Sequence, residues 1–157
     1  MLTLVRVVVV EEQPASFRLE LVRRLGATPE RVFEMLTEPE QVQKWWGPHG
    51  FTMPEVRIDL RVGGGYHFTM QPPEGERFHL TGEFRAIEPP SRLVFTFRYD
   101  EPTPDDRETV VTLTLDPDGK RTRVSLDQDG FATEERVALH RGGWSDSFDR
   151  LGSALAQ

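Results

Sequence analysis

Gly65-Tyr66-His67-Phe68-Thr69-Met70-Gln71, followed by Pro72-Pro73-Glu74-Gly75, is an alternating run that stops on a turn signal. Period-two alternation marks a half-buried strand, because successive side chains point to opposite faces. Tyr66, Phe68 and Met70 therefore share an inward face, with His67, Thr69 and Gln71 outside. The same kind of unit recurs on both sides. Strands are predicted at 52–60, 65–71, 78–88, 92–99, 108–116 and 122–128, with an earlier one at 16–25. Parity puts Phe78, Leu80, Gly82, Phe84 and Ala86 on one inward face, and Leu93, Phe95, Phe97 and Tyr99 on the next. The links are turn-rich: Gly63-Gly64-Gly65, Pro72-Pro73-Glu74-Gly75, Pro89-Pro90 and Asp116-Pro117-Asp118-Gly119. Connections this short join antiparallel neighbours and leave no room for crossover helices.

Helical signals flank this meander. Thr28 suits an N-cap, Pro29 the first helical position and Glu30 the positive end of the helix dipole. Val32, Phe33 and Leu36 then form an apolar stripe, and a second short helix beginning near Pro39 carries Val42 towards Trp45 and Trp46. Residues 133–156 read as one long helix with Val137, His140, Trp144, Phe148, Leu151 and Leu155 on a single face. A seven-stranded antiparallel sheet exposes one apolar face, and only this last helix is large enough to cover it. The expected fold is α+β: a curved sheet wrapped around a long C-terminal helix, with two short helices after the first strand.

The 157 residues and net charge of −7 describe a soluble globular chain without a broad face for nucleic acid or anionic membrane. No segment approaches the roughly 20 apolar residues of a membrane span. Residues 1–10 are apolar apart from Arg6, but no basic segment precedes them and Glu11-Glu12 follow where a cleavage site would stand. Residues 1–14 read as an extra strand or a disordered leader, and 15–157 as one domain. The expected location is cytoplasmic, and the lack of cysteine rules out disulfides and thiolate chemistry.

Trp45-Trp46-Gly47-Pro48, followed by His49 and Gly50, is an aromatic corner at a change of chain direction. Each indole can bury roughly 150–250 Å². With the inward strand faces and the His140/Trp144/Phe148 helix face, the corner either fills a core or lines a cavity. A dry void of about 300 Å³ would cost roughly 7 kcal/mol, comparable to a domain's whole stability of about 5–15 kcal/mol. A real cavity therefore holds ligand or water, or is partly collapsed. His140 reads either as a hydrogen-bonded core histidine or as a polar handle or acid/base group on a ligand. His49 is expected to be exposed, and His67 and His79 to face outward.

No catalytic or metal constellation stands out. The four histidines lack His-x-x-x-His or Glu/His pairing. Gly63-Gly64-Gly65 precedes a strand rather than a helix and has no Lys-Ser/Thr, so it is not a phosphate loop. Ser125, Ser145 and Ser147 lack a nucleophile motif, and Asp105, Asp106 and Glu108 read as a solvated loop tip.

Several pieces in order resemble the SRPBCC (START/Bet v 1-like) superfamily, in the branch of the activator of heat-shock-protein-90 ATPase homologue. They are Ala27-Thr28-Pro29-Glu30-Arg31-Val32-Phe33, Trp45-Trp46-Gly47-Pro48, Val62-Gly63-Gly64, Gly82-Glu83-Phe84 with Pro89-Pro90-Ser91-Arg92-Leu93, and Gly143-Trp144-Ser145 through Leu151. The resemblance implies a helix-grip fold with a deep hydrophobic pocket between sheet and C-terminal helix. Relatives in the superfamily bind lipids, sterols, polyketides or hormones, and some act as aromatase/cyclases.

The expected function is binding of a small hydrophobic or aromatic molecule, by a monomer or homodimer, without cofactor, metal or catalytic residues. Trp45, Trp46, Tyr66, Phe68, Met70, Phe84, Phe97, Trp144 and Phe148 would form the walls, with His140 and Tyr99 as polar handles. The alternatives are a polyketide cyclase/aromatase-like enzyme using the same pocket, or a chaperone-associated regulatory module.

Overall fold

Alternation along the strands and short turns between them build a seven-stranded antiparallel sheet in the computed structural model, which describes residues 16–157. The strand or leader expected at 1–14 lies outside the described residues. The elements run β1 (Phe17–Leu25), α1 (Pro29–Thr37), α2 (Pro39–Val42), β2 (Thr52–Ile58), β3 (Gly65–Gln71), β4 (Phe78–Glu88), β5 (Arg92–Tyr99), β6 (Thr109–Asp118), β7 (Arg121–Phe131) and α3 (Glu134–Leu155). The sheet order is β1-β7-β6-β5-β4-β3-β2, so the meander is continuous and β1 closes against the last strand. The chain has the helix-grip fold.

Local chemistry starts the helices where expected. The Thr28 hydroxyl accepts from the Arg31 N–H at 3.3 Å, and the Thr133 hydroxyl from the Arg136 N–H at 3.1 Å. Glu134 and Glu135 stand in the first turn of α3, where they complement the dipole. His140, Trp144, Ser147, Phe148 and Leu151 are the buried residues of α3, and of these Trp144, Phe148 and Leu151 share one core with Leu19, Leu113, Leu115 and Leu126 of the sheet. No helix among the described residues is long and apolar enough to cross a membrane.

Three local expectations are corrected. Ala86 does not share the inward face of β4, because the register shifts between Phe84 and Ala86. The inserted residue reverses parity, so Ile87 opposes Leu93 and packs on the core in its place. Pro117 lies inside β6 rather than in a turn, opposite Thr122. It is tolerated because the β5 register ends at Thr114, so the missing N–H falls beyond the ladder. Asp105 and Asp106 are not a free loop tip: both pair with Arg136 of α3, at 3.0 and 3.2 Å, with Asp106 largely buried and Asp105 still half-exposed.

Gly82 shows how closely β4 is packed against its neighbours. A methyl group there would stand 2.0 Å from the Thr96 carbonyl oxygen and 2.4 Å from the Tyr66 ring. Tyr66 lies over this gap and donates its hydroxyl to the same carbonyl at 2.6 Å. Gly82→Ala is expected to destabilise by about 1–3 kcal/mol, since the nearest clash is with backbone and the next with a hydrogen-bonded, buried ring. Urea unfolding followed by tryptophan fluorescence measures it; an unchanged midpoint would contradict the packing described.

Candidate functional site

A cavity of about 440 Å³ lies beneath α3. The loop between α2 and β2 contributes Trp46, Gly47, Pro48 and Phe51; the sheet contributes Met70, Phe78, Phe97 and Tyr99. From α3 come Leu139, His140, Gly142, Gly143, Trp144 and Ser147. The wall is overwhelmingly apolar. At the mouth stand Leu139, 61% exposed, and two glycines at which an added methyl group would meet nothing within 4 Å.

Three devices hold the walls. Gly47 adopts φ +99°, a conformation open to glycine, which turns the chain directly after the tryptophans. Its N–H donates to the Ser147 hydroxyl at 3.0 Å, and that hydroxyl donates to the Gly143 carbonyl at 2.9 Å. The half-buried Arg150 guanidinium donates to the carbonyls of Trp46, Gly47, Pro48 and Phe51 at 3.0 to 3.2 Å, tying the whole corner to α3. On the opposite wall, Trp144 donates its indole N–H to Gln128 at 2.8 Å, and Gln128, fully buried, donates to Thr109 at 2.8 Å.

The two adjacent tryptophans differ. Trp45 is fully buried and donates to the Met35 carbonyl at 2.8 Å, away from the cavity. Trp46 stacks edge-on against Trp144 and Phe68, both with ring centroids 5.0 Å away, and faces the cavity. Of the residues expected in the site, Trp46, Met70, Phe97, Tyr99, His140 and Trp144 stand in the cavity wall. Tyr66, Phe68 and Phe84 lie behind Trp46 around a separate void of about 10 Å³, and Phe148 is enclosed in the core beside Trp144. Phe51, Phe78, Leu139, Gly142 and Ser147 were missed as wall residues. Phe78 and Ser147 were within reach of sequence reasoning, the first by its inward parity and the second by its position three residues after Trp144.

His140 is 9% exposed and packs against Phe131, Phe97 and Tyr99, with ring centroids 4.9, 5.4 and 6.0 Å away. Burial lowers its pKa from 6.5 to about 4, with Asp106 opposing the shift and Arg136 adding to it. The imidazole is therefore neutral at neutral pH. Burial also raises Tyr99, helped by Asp106. Behind this pair, Arg136 bonds to Asp105, Asp106 and the Thr103 hydroxyl. Hydrogen bonds from Arg136 and then Thr103 hold Asp105 at about 2.

One group of metal-ligating type occurs among the described residues, and no sequence pairing announced it. His49 Nε2 lies 3.7 Å from Asp146 and 3.6 Å from Asp149, all on the surface beside the tryptophan corner. Arg23 already engages Asp149, so the group is an ion-pair cluster linking β1, the loop and α3. His67 and His79 stack on the outer face of the sheet with ring centroids 5.1 Å apart.

The family model described as Activator of Hsp90 ATPase homolog 1-like protein matches residues 26–156. Similar folds include protein CV1439 of Chromobacterium violaceum, 28% identical over 87% of this chain and 94% of that one, with a TM-score of 0.80. Protein NE0264 of Nitrosomonas europaea is 29% identical over 89% and 94% of the two chains, with a TM-score of 0.76. The AHSA1 (SPO3351) protein of Silicibacter pomeroyi is 30% identical over 90% and 98%, with a TM-score of 0.74. A comparison with curated proteins finds no match.

Proposed function

The chain belongs to the Activator of Hsp90 ATPase homolog 1-like family, and from that premise we propose that it binds one small apolar or aromatic molecule in the cavity under α3. Family membership suggests a ligand-binding or regulatory module. The observation that carries the finer reading is the cavity itself, about 440 Å³ with an aromatic wall. That volume falls in the range of about 300–1,000 Å³ typical of small-molecule pockets. Sealed and dry, it would cost about 10 kcal/mol at the usual cavity coefficient. Gly142 and Gly143 support the reading as well. Glycine inside a helix is about 1 kcal/mol less favourable than alanine, yet α3 carries two where a side chain would close the mouth. A cytoplasmic setting belongs to the same proposal.

Gly143→Leu separates binding from stability. The substitution raises helix propensity and its Cβ meets nothing within 4 Å, so unfolding free energy is expected to hold steady or rise by up to about 1 kcal/mol. The new side chain narrows the cavity entrance, so affinity for the fluorescent apolar probe N-phenyl-1-naphthylamine is expected to fall by at least about tenfold, a loss of about 1.4 kcal/mol. Titration by fluorescence, with native mass spectrometry for co-purifying molecules, checks both. Undiminished probe binding in the folded variant places the apolar site elsewhere.

A further inference from the structure

No Asp, Glu, Lys or Arg lines the cavity; its polar side-chain groups are the Trp46 and Trp144 indoles, the Tyr99 hydroxyl, the His140 imidazole and the Ser147 hydroxyl. The Ser147 hydroxyl is engaged twice, from Gly47 and to Gly143. Buried polar groups normally find partners, and Trp45, Tyr66 and Trp144 each do. Among the described residues, His140 and Tyr99 make no side-chain hydrogen bond, although every fully enclosed side-chain nitrogen and oxygen has one. The His140 nitrogens and the Tyr99 hydroxyl therefore front open space, even though His140 is only 9% exposed.

These two side chains make one polar end of an otherwise apolar cavity. Their ring centroids are 6.0 Å apart, close enough for one small head group to touch both. They also form the partition to a second void of about 10 Å³, on whose far side stand Asp106 and Arg136. The unpartnered Trp46 indole N–H belongs to the other end, where its ring packs on Trp144 one helical turn further along α3. The charged groups behind the polar end are turned to one another: Arg136 is held by both Asp105 and Asp106, and Arg107 lines the small void rather than the cavity.

We propose that the cavity selects an uncharged, phenol-like ligand whose single hydroxyl seats between His140 and Tyr99, with its rings against the aromatic wall. This rests on the ligand-binding reading above. A hydroxyl both donates and accepts at one atom, and neutral imidazole and phenol each present a donor and an acceptor to meet it. A carboxylate brings a charge into a wall that presents no cation, and so loses its hydration without compensation. A bare hydrocarbon leaves two wall groups unpaired, which is unfavourable in an enclosed site.

The test compares 2-naphthol, naphthalene and 2-naphthoate at neutral pH, by quenching of tryptophan fluorescence or by calorimetry. The full chain is expected to bind 2-naphthol about tenfold more tightly than naphthalene, with 2-naphthoate weakest. In the double variant His140→Phe/Tyr99→Phe the naphthol-to-naphthalene ratio is expected to fall to about one. Tyr99→Phe alone, which removes a single oxygen at a half-buried position, should reduce the ratio part of the way and serves if the double variant does not fold. A ratio near one in the unaltered protein, equal binding of 2-naphthoate, or a preference that survives in the variants overturns the proposal while leaving apolar binding standing. Failure of all three probes overturns the ligand-binding reading and the proposal together.

Discussion

Replacing Trp45 by alanine is expected to lower the unfolding free energy by about 3–5 kcal/mol, enough to bring a domain of ordinary stability, about 5–15 kcal/mol, towards its threshold. The side chain is fully buried, and its ring lies 5.4 Å from that of Trp46. Its N–H also has a structural task. The Met35 carbonyl belongs to the last turn of α1, where helix geometry leaves carbonyls without an intrahelical donor. Trp45 supplies that donor at 2.8 Å, so the tryptophan corner caps the preceding helix as well as filling the space beneath it. Trp45→Phe keeps most of the packing and loses the hydrogen bond, for an expected loss of about 1–2 kcal/mol. Urea denaturation of both variants, read by the remaining tryptophans, gives the comparison. An alanine variant within about 1 kcal/mol of the unaltered protein would mean that the corner is not held as described. Trp45 supports the Trp46 wall from behind without itself lining the cavity, so Trp45→Phe, which keeps a ring there, is expected to retain probe affinity in the folded fraction.

That division between Trp45 and Trp46 is a good measure of what a sequence carries. Tyr66, Phe68 and Met70 announce their shared face by parity alone, and the turn after Gln71 announces an antiparallel partner. Local rules of this kind extend to the whole meander, to Thr28 and Thr133 as helix starts, and to the apolar face of α3. They stop at Ala86, because a one-residue insertion in β4 leaves no trace in composition while reversing every face after it. They stop again at Pro117, whose turn-forming habit is overridden by a strand neighbour that has already ended. Trp45 and Trp46 are the same residue type one position apart. Only the carbonyl of Met35 on one side and the ring of Trp144 on the other separate a helix cap from a cavity wall. The same holds for the charged groups. Nothing local marks Arg150 as the residue that gathers the loop carbonyls, and Asp105 and Asp106 read as a loop tip until Arg136 comes between them. These contacts join segments far apart in the chain, so no local pattern encodes them.

Acid is expected to destabilise this protein through His140 in a window of its own, between about pH 6.5 and pH 4. Its imidazole has the ordinary value of 6.5 in the unfolded chain and about 4 in the fold, chiefly because burial disfavours the charged form. At neutral pH both states are uncharged and the residue contributes nothing to the pH dependence. Below 6.5 the unfolded chain takes up a proton that the native state refuses until about 4, so stability falls as pH falls. At 1.36 kcal/mol per pH unit the loss accumulates to about 3 kcal/mol by the acid end of the window. Among the facing groups, Asp106 softens the shift, Arg136 on the same helix deepens it, and Tyr99, Phe97 and Phe131 supply the apolar surroundings. Asp105 acts in the opposite sense and lower down. Held at about 2, it stabilises above its ordinary value of 3.8 and loses that contribution only as pH falls from 3.8 towards 2. The two effects therefore separate on the pH axis. Urea unfolding of the unaltered protein and of His140→Phe, from pH 7 to about pH 4, isolates the histidine by difference. The unaltered protein should lose about 3 kcal/mol more than the variant across the window. Parallel curves would mean that the His140 nitrogens are hydrated well enough to charge in place, and burial would not govern the imidazole's charge.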